Sequence, residues 1–105
     1  MERIELKLNK TGHGYFILTE DDEQLGEMEV SITKDQITVF HTEVIPRAEG
    51  RGLASKLLNE MVEYARKNRL KVNALCPYVF ARFKRDPENY GDIWKNKNDG
   101  SRKTT

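Results

Sequence analysis

HTEVIPRAEGRGLASKLLNEMVEYA, residues 41–65, passes from an extended segment into a helical one. Its first residues continue the β-branched run QITVF and read as the end of a strand. Leu53, Leu57, Leu58, Met61 and Ala65 then recur at spacings of three and four, and Val62 widens the stripe. That pattern predicts an amphipathic helix over residues 51–68. Between strand and helix stand Pro46, Arg47, Gly50, Arg51 and Gly52. The first-turn amides of a helix lack intrahelical acceptors, and the macrodipole adds partial positive charge at the same end. Glycine at 50 and 52 keeps side chains out of the approach, and Arg47 and Arg51 can add charge-assisted hydrogen bonds. The junction is therefore suited to a phosphate or pyrophosphate.

The rest of the chain frames this junction. Ile4, Leu6 and Leu8 alternate with charged residues, as in a half-buried strand. After a turn at Gly12 and Gly14, YFILTE reads as a second strand. TEDDEQ, residues 19–24, reads as a hairpin turn, and residues 24–32 as a third strand with a possible bulge at Gly26. QITVFHTEV is the fourth strand, which makes the first half an antiparallel meander. KVNAL, residues 71–75, is a short fifth strand after the long helix. A strand, a helix and a strand form a crossover, which requires a parallel pair. Pro77 suits the first position of a second helix, which runs to about Arg85 and ends at Asp86-Pro87. The expected class is α+β: a mostly antiparallel sheet with one parallel pair, about five strands and two main helices. Residues 1–93 read as one domain and 94–105 as a polar tail.

Composition narrows the function. The 105 residues are 37% hydrophobic and 33% charged, the profile of a globular domain. Net charge is +1, but residues 1–45 carry 4 Lys/Arg against 10 Asp/Glu, and residues 46–105 carry 14 against 7. The basic half begins near the glycine pair. A solvated helix face with a basic tail accounts for that asymmetry, and so does a polyanionic ligand. Nucleic acid ranks last among such ligands, because no basic motif is interleaved with aromatic residues. No apolar run reaches the length of a membrane span, and the N-terminus lacks a signal-peptide core. The single cysteine, Cys76, cannot form an intrachain disulfide, which fits a reducing cytoplasm.

Three phosphate loops can be compared with residues 47–54. The Walker A pattern G-x-x-x-x-G-K-[ST] is absent. A dinucleotide fingerprint needs a third glycine where Ser55 stands, and an acidic residue where the next strand ends in Leu75 and Cys76. The pattern [QR]-x-x-G-x-[GA] is matched in full by Arg47-Ala48-Glu49-Gly50-Arg51-Gly52. This loop resembles the acetyl-CoA loop of the GNAT N-acetyltransferase superfamily. With His41 on the fourth strand and Cys76-Pro77 after the fifth, residues 4–93 resemble its small single-domain members of about 100 residues.

The resemblance implies that acetyl-CoA is the cosubstrate and that the acceptor is an amine of a small molecule or protein. It implies that Arg47, Gly50, Arg51, Gly52, Leu53 and Ala54 surround the diphosphate. The edge of the fourth strand at Glu43, Val44 and Ile45 would pair with the pantetheine arm where the parallel strands splay. Arg82, Lys84 and Arg85 could reach the phosphates, Arg85 first among them, and a solvated helix face is the plain alternative. Larger relatives often carry a tyrosine on the last helix as a general acid, and Phe83 occupies the matching spacing here. Cys76, before a helix N-terminus, is the substitute candidate. It could take the acetyl group or donate a proton to the departing sulfur. A buried structural cysteine is the plain alternative. His41 is the candidate general base, since histidine titrates nearest neutrality. His13, Tyr78 and Phe80 read as structural. No cluster of Cys, His and carboxylate residues has metal-ligand spacing, and direct acyl transfer needs no metal. A module that binds CoA with little catalysis is the second reading.

Overall fold

Alternation along the first half becomes a meander in the computed structural model, which describes residues 1–95. Strands β1 (Glu2–Leu8), β2 (His13–Glu20), β3 (Glu23–Ile32) and β4 (Gln36–Val44) pair antiparallel in sequence order. Asp21 and Asp22 turn the β2–β3 hairpin with φ of 52° and 70°, a left-handed two-residue turn that matches the twist of the strands. β5 (Lys71–Ala74) joins β4 in parallel. Helix α1 (Leu53–Lys67) supplies the crossover, and α2 (Pro77–Arg85) and a short α3 (Pro87–Tyr90) follow β5. A single 3-10 turn, Pro46–Ala48, leads from β4 toward α1. The α+β class, the mixed sheet and the parallel pair are as expected. Among the described residues, no helix is long and apolar enough to cross a membrane.

All the helices lie on one face of the sheet. The strand residues that bury fully share one phase, including Phe16, Leu18, Met28, Val30, Ile37, Val39 and Val72. They form a continuous core with Leu53, Leu57, Leu58, Met61 and Ala65 of α1 and Val79 and Phe83 of α2. The apolar stripe on α1 is thus the half of the core that the helical periodicity foretold. Tyr15, Ile17 and Phe40 have the other phase and do not join this core. Trp94 is anchored at the far end: its ring meets those of Phe80 and Phe83 edge-on, and it bridges to Val72. The Lys95 amide donates to the Val72 carbonyl. Of the expected tail, residues 96–105 lie outside the described residues.

Two irregularities shape the sheet. Leu18 pairs with Gly26 while Thr19 pairs with Gln24, so the extra residue in β3 is Leu25 rather than Gly26. In β4, His41 pairs with Glu29 while Val39 pairs with Val30, which makes Phe40 the extra residue. A one-residue insertion reverses the phase of everything after it. Ile37 and Val39 face the helices before this bulge. Thr42 and Val44 do so after it, which turns His41 and Glu43 to the helix-free face.

Candidate acyl-transfer site

The parallel pairing ends early. β4 pairs with β5 only from Gln36 to Val39, and the amides of Leu75 and Cys76 both donate to the Val39 carbonyl. Phe40 to Val44 continue beyond that point with no strand on the β5 side among the described residues. The chain after β5 turns away into α2 because Pro77 begins a helix, with Cys76 as its N-cap residue. The expected splay is present, and its apex lies at Val39 and Cys76.

A cavity of about 360 Å³ opens beside the splay. Thr42 and Val44 of β4, Gly50, Gly52, Leu53 and Ala54 of the loop and helix start, and Tyr78 of α2 are among its lining residues. Gly50 has φ of 87° and Gly52 of 77°, a region where side chains with a Cβ are strained. A Cβ at either position would meet no protein atom within 4 Å, so the space beside both glycines is open. The N-terminus of α1 has no side-chain cap. Among the described residues, the amides from Gly50 to Ser55 find no backbone acceptor. These donors and the positive end of the dipole are the groups an anion needs.

The loop arginines point elsewhere. Arg51 donates to Glu20 at 2.9 Å and to Glu2 at 3.3 Å. The hydrogen bond to Glu20, and then its charge, raise the Arg51 guanidinium above its ordinary range. Arg47 is ion-paired with Glu23. The acidic β2–β3 hairpin thus holds both cations that the sequence assigns to a diphosphate. Arg85 is exposed and does not line the cavity. Arg82 comes closer: its guanidinium donates to the Tyr78 hydroxyl at 2.7 Å and to Ser55 Oγ at 3.4 Å, and both partners line the cavity. The sequence reading places Arg85 ahead of Arg82. Only the packing of α2 beside the start of α1 separates them.

Cys76 is buried, with 2% of its surface exposed, and its Sγ lies 3.3 Å from Thr42 Oγ1. Thr42 is among the residues that line the cavity, and Cys76 is not. Phe83 lies fully buried and stacks on Tyr90, with ring centroids 4.6 Å apart. Tyr78, which reads as core in the sequence, packs against the core and also lines the cavity. Thr42 and Tyr78 are the two residues that sequence reasoning missed. Thr42 beside His41 carried no signal of its own, because the bulge at Phe40 decides which of the two meets Cys76.

His41 is exposed on the helix-free face, with its Nε2 3.7 Å from Glu43 Oε2. Glu43 and Ile45 line a second cavity of about 460 Å³ at the same end of β4, together with Glu27 and Glu49. The two cavities share Val44 and Glu49. The candidate residues thus fall into two groups, one on each side of the free part of β4.

A sheet that splays at its parallel pair, with a glycine loop and bare helix start beside the opening, is the framework of GCN5-related N-acetyl-transferases. Residues 14–93 match that family, and the chain belongs to it. No curated protein sequence matches the chain. A GCN5-like protein from Staphylococcus aureus, a candidate N-acetyltransferase, is similar over 86% of each chain at 27% identity, with a TM-score of 0.60. The ribosomal-protein-S18-alanine N-acetyltransferase of Escherichia coli shares the fold at 20% identity and a TM-score of 0.57, over 61% of this chain and 42% of that one. A GNAT-family protein of Desulfovibrio desulfuricans matches at 25% identity and a TM-score of 0.54, over 60% of this chain and 43% of its own. The chain therefore aligns with less than half the length of these last two proteins.

Proposed function

We propose that this protein is a cytoplasmic N-acetyltransferase that takes acetyl groups from acetyl-CoA and passes them to an amine. The observation that carries the reading is the cavity beside Gly50 and Gly52, where unpaired amides and an uncapped helix start converge. The residues fit a CoA diphosphate, since both glycines leave open the space that a Cβ would occupy. Leu53 and Ala54 contribute first-turn amides. Glu43, Val44 and Ile45 offer backbone groups to the pantetheine amides along the unpaired edge of β4. Arg82 supplies positive charge at the rim. Arg47 and Arg51 can add theirs once released from Glu23 and from Glu20 and Glu2.

Acetyl-CoA supplies an activated acyl group with a thiolate as leaving group. His41 accepts the proton that the attacking amine loses as the new C–N bond forms. The C–S bond breaks, and Cys76 gives its proton to the departing sulfur through the Thr42 hydroxyl, which passes on one proton and receives another. The burial of Sγ and its contact with Thr42 favour this role over direct acylation. The seclusion of Phe83 in the core favours a second reading, a CoA-binding module with little turnover.

Calorimetry with acetyl-CoA tests the binding, and amine acetylation tests the chemistry. Parent protein should bind, and Gly50→Glu should not, because its carboxylate enters the anion site. No heat with parent protein would sink the assignment. Binding without acetyl transfer to any amine would leave the module reading standing instead.

A further inference from the structure

The sheet has a face that no helix covers among the described residues. On its two inner strands this face carries Glu27 and Glu29 of β3 and His41 and Glu43 of β4, with no lysine or arginine among them. Glu27 lies opposite Glu43 and Glu29 opposite His41. Tyr15 and Ile17 of β2 flank the carboxylates, half-buried and outside the core, and Phe40 stands exposed at the bulge. His13 of β2 lies on the same face with its Nε2 2.7 Å from Glu29 Oε2, and Gln24 donates to Glu27 Oε1 at 2.9 Å. Among the described residues, Arg3 and Lys7 stand on the outer strand β1, and Lys71 at the far end of β5, where its Nζ donates to the Asp92 carbonyl. The face is thus acidic in its middle, apolar beside that, and next to the splay.

We infer that this face docks a basic, lysine-bearing peptide segment of a protein, and that one of its lysines is the amine acetylated. The inference rests on the acetyl-transfer reading above for the second clause only; docking stands on the charge pattern. Alternate residues of a strand lie about 6.8 Å apart on one face, and alternate side chains of an extended peptide have the same spacing. Glu27 and Glu29 are such a pair, so a peptide with lysines two residues apart can meet both, through the carboxylate oxygens that Gln24 and His13 do not hold. The aliphatic stems of lysine lie well on half-exposed Tyr15, Ile17 and Phe40. His41, opposite Glu29 and at the border between this face and the splay, is where the lysine nearest Glu29 loses its proton. An open sheet suits a chain segment better than a free small amine, which an enclosed pocket would hold.

The test uses the full chain at low ionic strength and a heptapeptide of alternating glycine and lysine. Controls are the same peptide with glutamate for lysine, and spermidine. The lysine peptide should bind and the glutamate peptide should not. Glu27→Gln/Glu29→Gln should weaken the lysine peptide about tenfold while CoA affinity stays at its parent value. Amide shifts on peptide addition should map to Tyr15, Ile17, Glu27 and Glu29 rather than to the helices. If the double variant does not fold, Glu27→Gln alone and the shift map decide. Equal affinity of parent and variant, shifts on the helical side, or tighter binding of spermidine than of the peptide overturns the inference. Failure of CoA to bind, with the peptide still docking, would instead overturn the acetyl-transfer reading.

Discussion

Thr42 Oγ1 lies 3.3 Å from Cys76 Sγ, joining the unpaired end of β4 to the start of α2 at the apex of the splay. Thr42 lines the cavity and Cys76 does not. On the proposed mechanism, a proton from Cys76 would reach a bound ligand by way of this hydroxyl. Thr42→Val keeps the shape and removes the relay. It should lower the rate of acetyl transfer by about tenfold to a hundredfold and leave acetyl-CoA affinity nearly unchanged. Cys76→Ala should lower it comparably, and the double variant should lose little more. Mass spectrometry of the parent with acetyl-CoA should show no acetyl group on Cys76; a stable acetyl-cysteine would replace the proton-donor role with nucleophilic catalysis.

Glu20 and Glu2 hold Arg51, and Glu23 holds Arg47. On the proposed reading, an incoming diphosphate would compete with these carboxylates for the same guanidinium groups. Glu20→Gln and Glu23→Gln should each tighten CoA binding severalfold and steepen its dependence on salt. Calorimetry at two ionic strengths reads both effects. Weaker binding in both variants would mean that the hairpin positions the loop rather than competing with the ligand.

Asp92 accepts hydrogen bonds from Arg66 at 2.9 and 3.2 Å, linking α1 to the segment after α3. The bond to Arg66, and more weakly its charge, hold the Asp92 carboxyl below its usual range. A folded-state value below the unfolded one means that the contribution is complete above the unfolded pKa. It fades as pH falls through the folded value. Asp92→Asn should therefore cost about 0.5 kcal/mol near neutrality, a surface pair being weak, and nothing in strong acid. Thermal melts of parent and variant across the acid range should converge below the usual aspartate range.

Arg69 has φ of 57° just after α1, where the Leu70 amide donates to the Ala65 carbonyl across the turn. A left-handed residue at this position is most often glycine. Arg69→Gly should stabilise the fold by about 0.5 kcal/mol, the relief of strain exceeding the added freedom of the unfolded chain. Chemical denaturation measures it, and a lower midpoint would show that the side chain of Arg69 contributes more than its backbone costs.

Much of this protein was legible in one dimension. QITVFHTEV begins and ends where β4 does, and the stripe from Leu53 to Ala65 became the buried face of α1. The loop glycines marked two left-handed positions, and Cys76-Pro77 marked the start of α2. All these signals are local: period, propensity and backbone freedom act over a few neighbouring residues. What those residues meet was decided elsewhere. The register of β3 against β4 put the bulge at Phe40, which sent His41 to the open face and Thr42 to Cys76. The hairpin carrying Glu20 and Glu23 took the arginines from the loop, and the packing of α2 brought Arg82 rather than Arg85 to the cavity. These outcomes depend on contacts between residues distant along the chain, and the period of a strand cannot foretell where an inserted residue will reverse it.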